Sequence, residues 1–101
     1  MRTAARVDAN QRQVTQILRV LGFSVAITSG CGDGFPDLAV GRWGITLLVE
    51  LKNGEKPPSD RKLTDLEIKF HGGWRGAALV ATSTEEIVCE MERLRGLSLR
   101  R

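Results

Sequence analysis

Histidine occurs once, at His71, and cysteine twice, at Cys31 and Cys89, in a chain of 101 residues. One imidazole cannot build a His-rich metal site, and two thiols without a CxxC spacing suggest neither a zinc cluster nor a disulfide framework. The thiols are expected to be reduced, as in a cytosolic protein. No uncharged apolar run approaches the ~20 residues of a membrane span, and the opening Met1-Arg2-Thr3-Ala4-Ala5-Arg6 has no apolar stretch of the kind that directs secretion. The expectation is a soluble, cytoplasmic chain with no membrane partner. Internal repeats and low-complexity segments are missing as well.

What is present is an ordinary globular composition, 42% hydrophobic and 27% charged, unlike a disordered tail or a fibrous repeat. A chain of this length builds one hydrophobic core. A single domain over 1–101 is expected, with its core at about 8–95 and a basic tail at 96–101. Fifteen Lys and Arg against twelve Asp and Glu give a net charge of +3, which permits an anionic partner without requiring one. Both ends are basic: Arg2 and Arg6 open the chain, and Arg93, Arg95, Arg100 and Arg101 close it with no acid after Glu92.

The order of elements reads α, β, β, β, α, β, α. Asp8 is placed to cap a helix whose apolar positions Val14, Ile17, Leu18 and Leu21 keep helical spacing, and Gly22 stops it. Phe23 to Thr28 reads as a strand leading into a mobile glycine loop with Gly30, Gly32 and Gly34. Pro36 to Val40 and Ile45 to Lys52 read as the two arms of a hairpin turning at Gly41 to Gly44. Asn53 to Lys62 has two prolines and no other apolar side chain, and is expected as an exposed loop. Thr64 to Glu67 is a capping box, with Leu66, Phe70 and Trp74 down one helical face. Ala77 to Thr82 reads as a buried strand. A second capping box, Ser83 to Glu86, opens a helix burying Ile87, Met91 and Leu94 before Gly96. Helices interleaved with strands predict an α/β fold, a mixed central sheet flanked by helices.

The hairpin carries the chemistry. With Trp43 and Gly44 as a two-residue turn, Arg42 faces Ile45, Ala39 faces Leu48 and Asp37 faces Glu50. Alternation then sends Asp37, Glu50 and Lys52 to one face, and Leu38, Val40, Leu47, Val49 and Leu51 to the core. Carboxylates directly opposite each other repel, so the pair calls for a cation. A hard divalent ion, Mg²⁺ or Mn²⁺, suits Asp37, Glu50 and the main-chain carbonyl of Leu51, with positions left for water and a phosphate oxygen. Lys52 is then near the same water, where it orients the nucleophile, stabilises charge developing on phosphorus, or accepts a proton if its pKa is lowered. This is the equipment of metal-assisted phosphodiester hydrolysis. Taken singly, Pro-Asp is a turn dipeptide and Glu-Leu-Lys a common strand end; the argument rests on their conjunction.

Gly34-Phe35-Pro36-Asp37-Leu38, Val49-Glu50-Leu51-Lys52, the helix start at Leu63-Thr64 with Phe70-His71 and Trp74, and Ser83 to Glu86 together resemble the PD-(D/E)XK nuclease superfamily. Within it they resemble the small stand-alone VRR-NUC-like proteins of phage genes, over roughly residues 8 to 92. The resemblance implies a restriction-endonuclease-like αβββαβ core, Mg²⁺ or Mn²⁺ dependence and cleavage of DNA to 5′-phosphate products, with branched or junction DNA as substrate in some members. If phage-encoded, the chain works in the host cytoplasm. Members often carry a glutamate in the first helix near the metal. Here the nearest candidate is Gln11, which either ligates weakly through its oxygen, touches the ion through water, or closes the cap begun by Asp8.

Glu67 stands where the family's second helix commonly faces the site, but as the third residue of a capping box it has a structural role to fill. Asp33 reads as turn chemistry and His71 as a packing residue. Lys56, Arg61 and Lys62 follow Lys52 in the proline loop and are candidates for phosphate contacts that read no base; Glu55 and Asp60 dilute their charge. The expected partner is DNA, branched or duplex. A domain this small offers little surface for gripping a duplex, which makes a homodimer with two sites an expectation. The competing class is a catalytically weak nuclease-fold module that binds DNA beside replication or recombination proteins.

Overall fold

Helix α1 (Ala9–Val20) leads into strands β1 (Ser24–Ile27), β2 (Leu38–Arg42) and β3 (Ile45–Leu51) in a computed structural model that describes residues 9–99. A short 3-10 turn (Pro58–Arg61), helix α2 (Asp65–Gly73), strand β4 (Ala78–Ala81) and helix α3 (Thr84–Leu99) complete it. Asp8, the expected cap of α1, lies outside the described residues. The strands form one mixed sheet in the order β1-β2-β3-β4, antiparallel except for the parallel pair β3 and β4. The parallel pairing follows from α2, because a helix between two strands returns the chain in the same direction.

The hairpin has the register expected from its turn. Arg42 pairs with Ile45, Ala39 with Leu48 and Leu38 with Val49, around Trp43 and Gly44, both at positive φ as a tight two-residue turn requires. Leu38, Val40, Leu47 and Val49 are completely buried. They meet Val14 and Leu18 of α1 and Ile87 and Met91 of α3 in one core. Both long helices therefore cover the same face of the sheet. On the other face Leu48 is 7% exposed and Glu50 4%, and α2 stands at the Glu50 end.

Several boundaries differ from the sequence expectation. The buried stripe of α1 is Gln11, Val14, Thr15 and Leu18. Ile17 and Leu21, 40% and 49% exposed, instead line an open apolar groove with Val88 and Cys89 of α3, where the two helices lie side by side. Helix α1 does stop at Gly22, whose φ of +100° permits the N–H of Phe23 to bond the carbonyl of Leu18 and its own N–H that of Arg19. In β4 only Ala81 is buried. Helix α3 runs through Gly96 to Leu99, so residues 96–99 are helix and not tail, a glycine within a helix costing only about 1 kcal/mol. The glycine loop is organised by turns at Thr28–Cys31 and Gly32–Phe35. The hairpin tip is clamped at the opposite end: the guanidinium groups of Arg42 and Arg95 lie 4.8 and 4.5 Å from the Trp43 ring centroid.

Candidate active site

Asp37 stands immediately before β2, and the chain on either side of it is pinned. Thr28 donates from its N–H to the Asp37 carbonyl at 2.8 Å and from its hydroxyl to the Pro36 carbonyl at 2.7 Å, and Pro36 is completely buried. Continued past Leu38 and Val49, the hairpin register sets Asp37 opposite Glu50. The Leu51 N–H donates to Asp37 Oδ2 at 2.9 Å. In an extended strand a residue's N–H and C=O point to the same edge, so the Leu51 carbonyl faces the side on which Asp37 lies. Lys52 Nζ lies 3.5 Å from Glu50 Oε2 and 3.0 Å from Glu67 Oε1.

Glu67 thus has two duties. Its carboxylate accepts the Thr64 N–H at 2.9 Å while its own N–H donates to Thr64 Oγ1 at 3.2 Å, the reciprocal capping box. The same Oε1 binds the Lys52 ammonium. The sequence weighed these roles as alternatives; the geometry satisfies both, because the first turn of α2 stands beside the end of β3. Gly34 makes that approach feasible. Its φ is +77°, and a Cβ there would collide with the Leu66 carbonyl oxygen and lie 2.5 Å from the Leu66 carbonyl carbon. Gly34→Ala is expected to lose about 2–5 kcal/mol of stability from left-handed strain and overpacking together. Urea unfolding checks it through a lower midpoint at unchanged slope.

Burial pushes Glu50 up to about 8, reinforced by the charges of Asp37 and Glu67 and opposed by Lys52. Burial also raises Asp37, against the lowering effects of the Leu51 N–H and the hydrogen bond from Glu50. Desolvation and like charge therefore favour protonation of this pair of acids when no cation lies between them. Burial works to lower Lys52, but hydrogen bonds and charges from Glu67 and Glu50 outweigh it and raise the pKa. The condition for Lys52 to accept a proton, a lowered pKa, is thus opposed by its two carboxylate neighbours, which favour the ammonium form. Glu67 is lowered despite burial, through the Thr64 N–H and Lys52.

Among the described residues no group of three His, Cys, Asp or Glu side chains is placed to hold a metal ion. The donor set is two carboxylates and the Leu51 carbonyl, which fits an ion that keeps several waters. The second sign of fit is the placing of Glu50, 4% exposed, opposite Asp37 in the continued hairpin register, since a cation relieves the repulsion of facing carboxylates. Gln11 is buried, and its amide donates to Ser29 Oγ at 3.5 Å, tying α1 to the segment that enters the glycine loop. Lys56 and Lys62 are exposed on the β3–α2 connection; Arg61 is half-buried, its Nε without a hydrogen-bond partner among the described residues. Asp33 is exposed, with φ 57° in a turn. His71 is half-buried, edge-on to Phe70.

Phe70 and Trp74, expected down one helical face with Leu66, form an aromatic group with Phe35 beside these residues. Helix α2 has no buried residue. Phe70 and Trp74 stack on each other at 5.1 Å, and Phe35 meets Phe70 edge-on at 5.2 Å. Alternation along the Phe35-Pro36-Asp37 segment was the available signal, because it puts Phe35 on the same side as Asp37.

No family model, curated protein or solved structure matches this chain. Among the described residues no helix is long and apolar enough to cross a membrane.

Proposed function

We propose that this chain is a single-domain, metal-dependent DNA endonuclease of the PD-(D/E)XK kind, hydrolysing phosphodiester bonds with a preference for branched or junction DNA. One observation carries the reading: two acids at facing positions of a hairpin, one of them 4% exposed, lie beside an ammonium ion 3.5 Å from Glu50. A purely structural hairpin end has no need of that combination, since buried charge is costly unless paired. Asp37, Glu50 and the Leu51 carbonyl would hold Mg²⁺ or Mn²⁺. A divalent ion there supplies Lewis-acid polarisation of a phosphoryl oxygen and a lowered pKa for water. Lys52 contributes a fixed positive charge facing the negative charge that develops on phosphorus, and Glu67 holds that ammonium in place. Lys56, Arg61 and Lys62 supply phosphate contacts along the adjoining loop.

The test is a cleavage panel with purified protein on linear, flapped and four-way DNA in Mg²⁺, Mn²⁺ or EDTA. Cleavage that requires the metal, leaves 5′-phosphates and disappears in Asp37→Ala is the expected result. The neutral Gln11, in the helix where the family often has glutamate, favours one second reading, a DNA-binding module. Equal background from the native protein and Asp37→Ala, with DNA bound by both, would establish the module instead.

A further inference from the structure

Helix α2 has an unusual balance. None of its nine residues is fully buried, and the apolar Leu66 and Ile68 are 54% and 56% exposed. Most short helices owe their stability to a buried face. This one is held by its capping box, by Glu67 on Lys52, by the fit of Gly34 against its first turn, and by the ring cluster at its end. In that cluster Phe70 covers the indole of Trp74 at an interplanar angle of 18°, with Phe35 edge-on to Trp74 at 6.4 Å. Gly76 accommodates the indole closely, as a Cβ there would lie 2.8 Å from Nε1. Even so, Trp74 is 44% exposed. The result is a rigid aromatic ledge partly in water, with the exposed cations Lys69 and Arg75 next to it in the chain.

The geometry points to this ledge as a stacking platform for unpaired nucleobases, making the substrate class DNA with a single-stranded segment beside the scissile phosphate. Aromatic faces take bases of any sequence, and neighbouring cations hold the phosphates between them. A continuous duplex offers no free base face, whereas a flap or splayed junction arm does. The position suits this use: Phe35 precedes Asp37 by two residues, and Glu67 of the same helix touches Lys52. Seven residues of helix rise about 10 Å and a strand advances about 3.4 Å per stacked nucleotide. A base on Trp74 therefore lies within about three nucleotides of Glu67, the residue that holds Lys52. The choice of substrate rests on the phosphodiesterase reading; the stacking itself does not require cleavage.

Tryptophan emission tests it, with a short oligothymidylate and its duplex with oligodeoxyadenylate as probes, in EDTA at low salt. The native protein is expected to lose emission with the single strand and not with the duplex. Trp74→Phe, which keeps a ring but leaves only Trp43 to report, should lose that quench while its affinity stays within about twofold, and Trp74→Ala should bind about tenfold more weakly. Thermal melting of both variants confirms that the fold is kept. Equal quenching by duplex, native affinity in Trp74→Ala, or loss of emission with protein concentration alone, as when a second copy covers the ledge, would each overturn the proposal. The two readings fail separately. Single-strand quenching by a protein that cuts no DNA keeps the ledge and sinks the hydrolase, whereas equal cutting of duplex and flap without quenching does the reverse.

Discussion

Lys52→Ala is expected to slow metal-dependent cleavage by about 10²–10³-fold, the usual consequence of removing one preorganised charge that faces developing negative charge. DNA affinity should change little, since one cation among several phosphate contacts is lost. The ammonium is fixed by Glu67 at 3.0 Å and Glu50 at 3.5 Å, and both raise its pKa. It therefore stays charged throughout the neutral range, and its removal should lower the rate without erasing an inflection of the pH profile near neutrality. Lys52→Arg keeps the charge but spreads it over a larger planar group than the compact ammonium held by Glu50 and Glu67, so only part of the rate should return. Single-turnover cleavage with bound DNA measures these effects directly. A Lys52→Ala protein that cuts at the native rate would remove Lys52 from the chemistry.

Glu50→Gln should have opposite effects on the metal-free and the metal-loaded protein. In the metal-free fold Glu50 holds its proton up to about 8, against an ordinary 4.5, so between these values the folded chain binds more protons than the unfolded one. The stabilisation is complete below the ordinary carboxylate range and is lost as pH rises through about 8. Asp37, also raised, acts in the same direction; Glu67, lowered, acts in acid and in the opposite sense. In EDTA the native melting temperature should therefore fall as pH climbs through this window. Glutamine, neutral at every pH, should flatten that slope and leave the variant more stable than the native chain at alkaline pH.

Binding of Mn²⁺ or Mg²⁺ at Asp37 and Glu50 is expected to compete with protonation of the pair. The native protein's apparent metal affinity should rise by up to about tenfold per pH unit below the Glu50 pKa, and its melting temperature should rise with metal concentration. Glu50→Gln should show little or no such shift. Melting curves across pH, with and without metal, decide the matter: a variant that responds to metal like the native chain, or native stability that increases through the window, contradicts the assignment.

The hairpin was legible because its information is local. Trp43 and Gly44 set a two-residue turn, a fixed turn sets a constant pairing sum, and strand alternation then assigns each side chain to a face. Leu38 against Val49 in the structure is that arithmetic realised, and the placing of Asp37, Glu50 and Lys52 follows. The capping box at Thr64 was legible for the same reason, since its two hydrogen bonds span three residues. Periodicity misled where burial depends on what stands opposite. Ile17 and Leu21 keep helical spacing but line an open groove between α1 and α3, and Phe70 and Trp74 keep it on a helix with no fully buried residue.

By itself, the sequence determined the order of elements, the register of the hairpin and the juxtaposition of two acids and a lysine, all consequences of spacing along a few residues. Only the tertiary structure decided that α1 and α3 share one face of the sheet, that Glu67 reaches from α2 to fix the charge on Lys52, and that the aromatic rings stand in partial contact with water. Those outcomes depend on burial and on distances between segments far apart in the chain. Gly34 and Leu66 illustrate the difference: thirty-two positions separate them in the chain, and their contact sets where Glu67 stands.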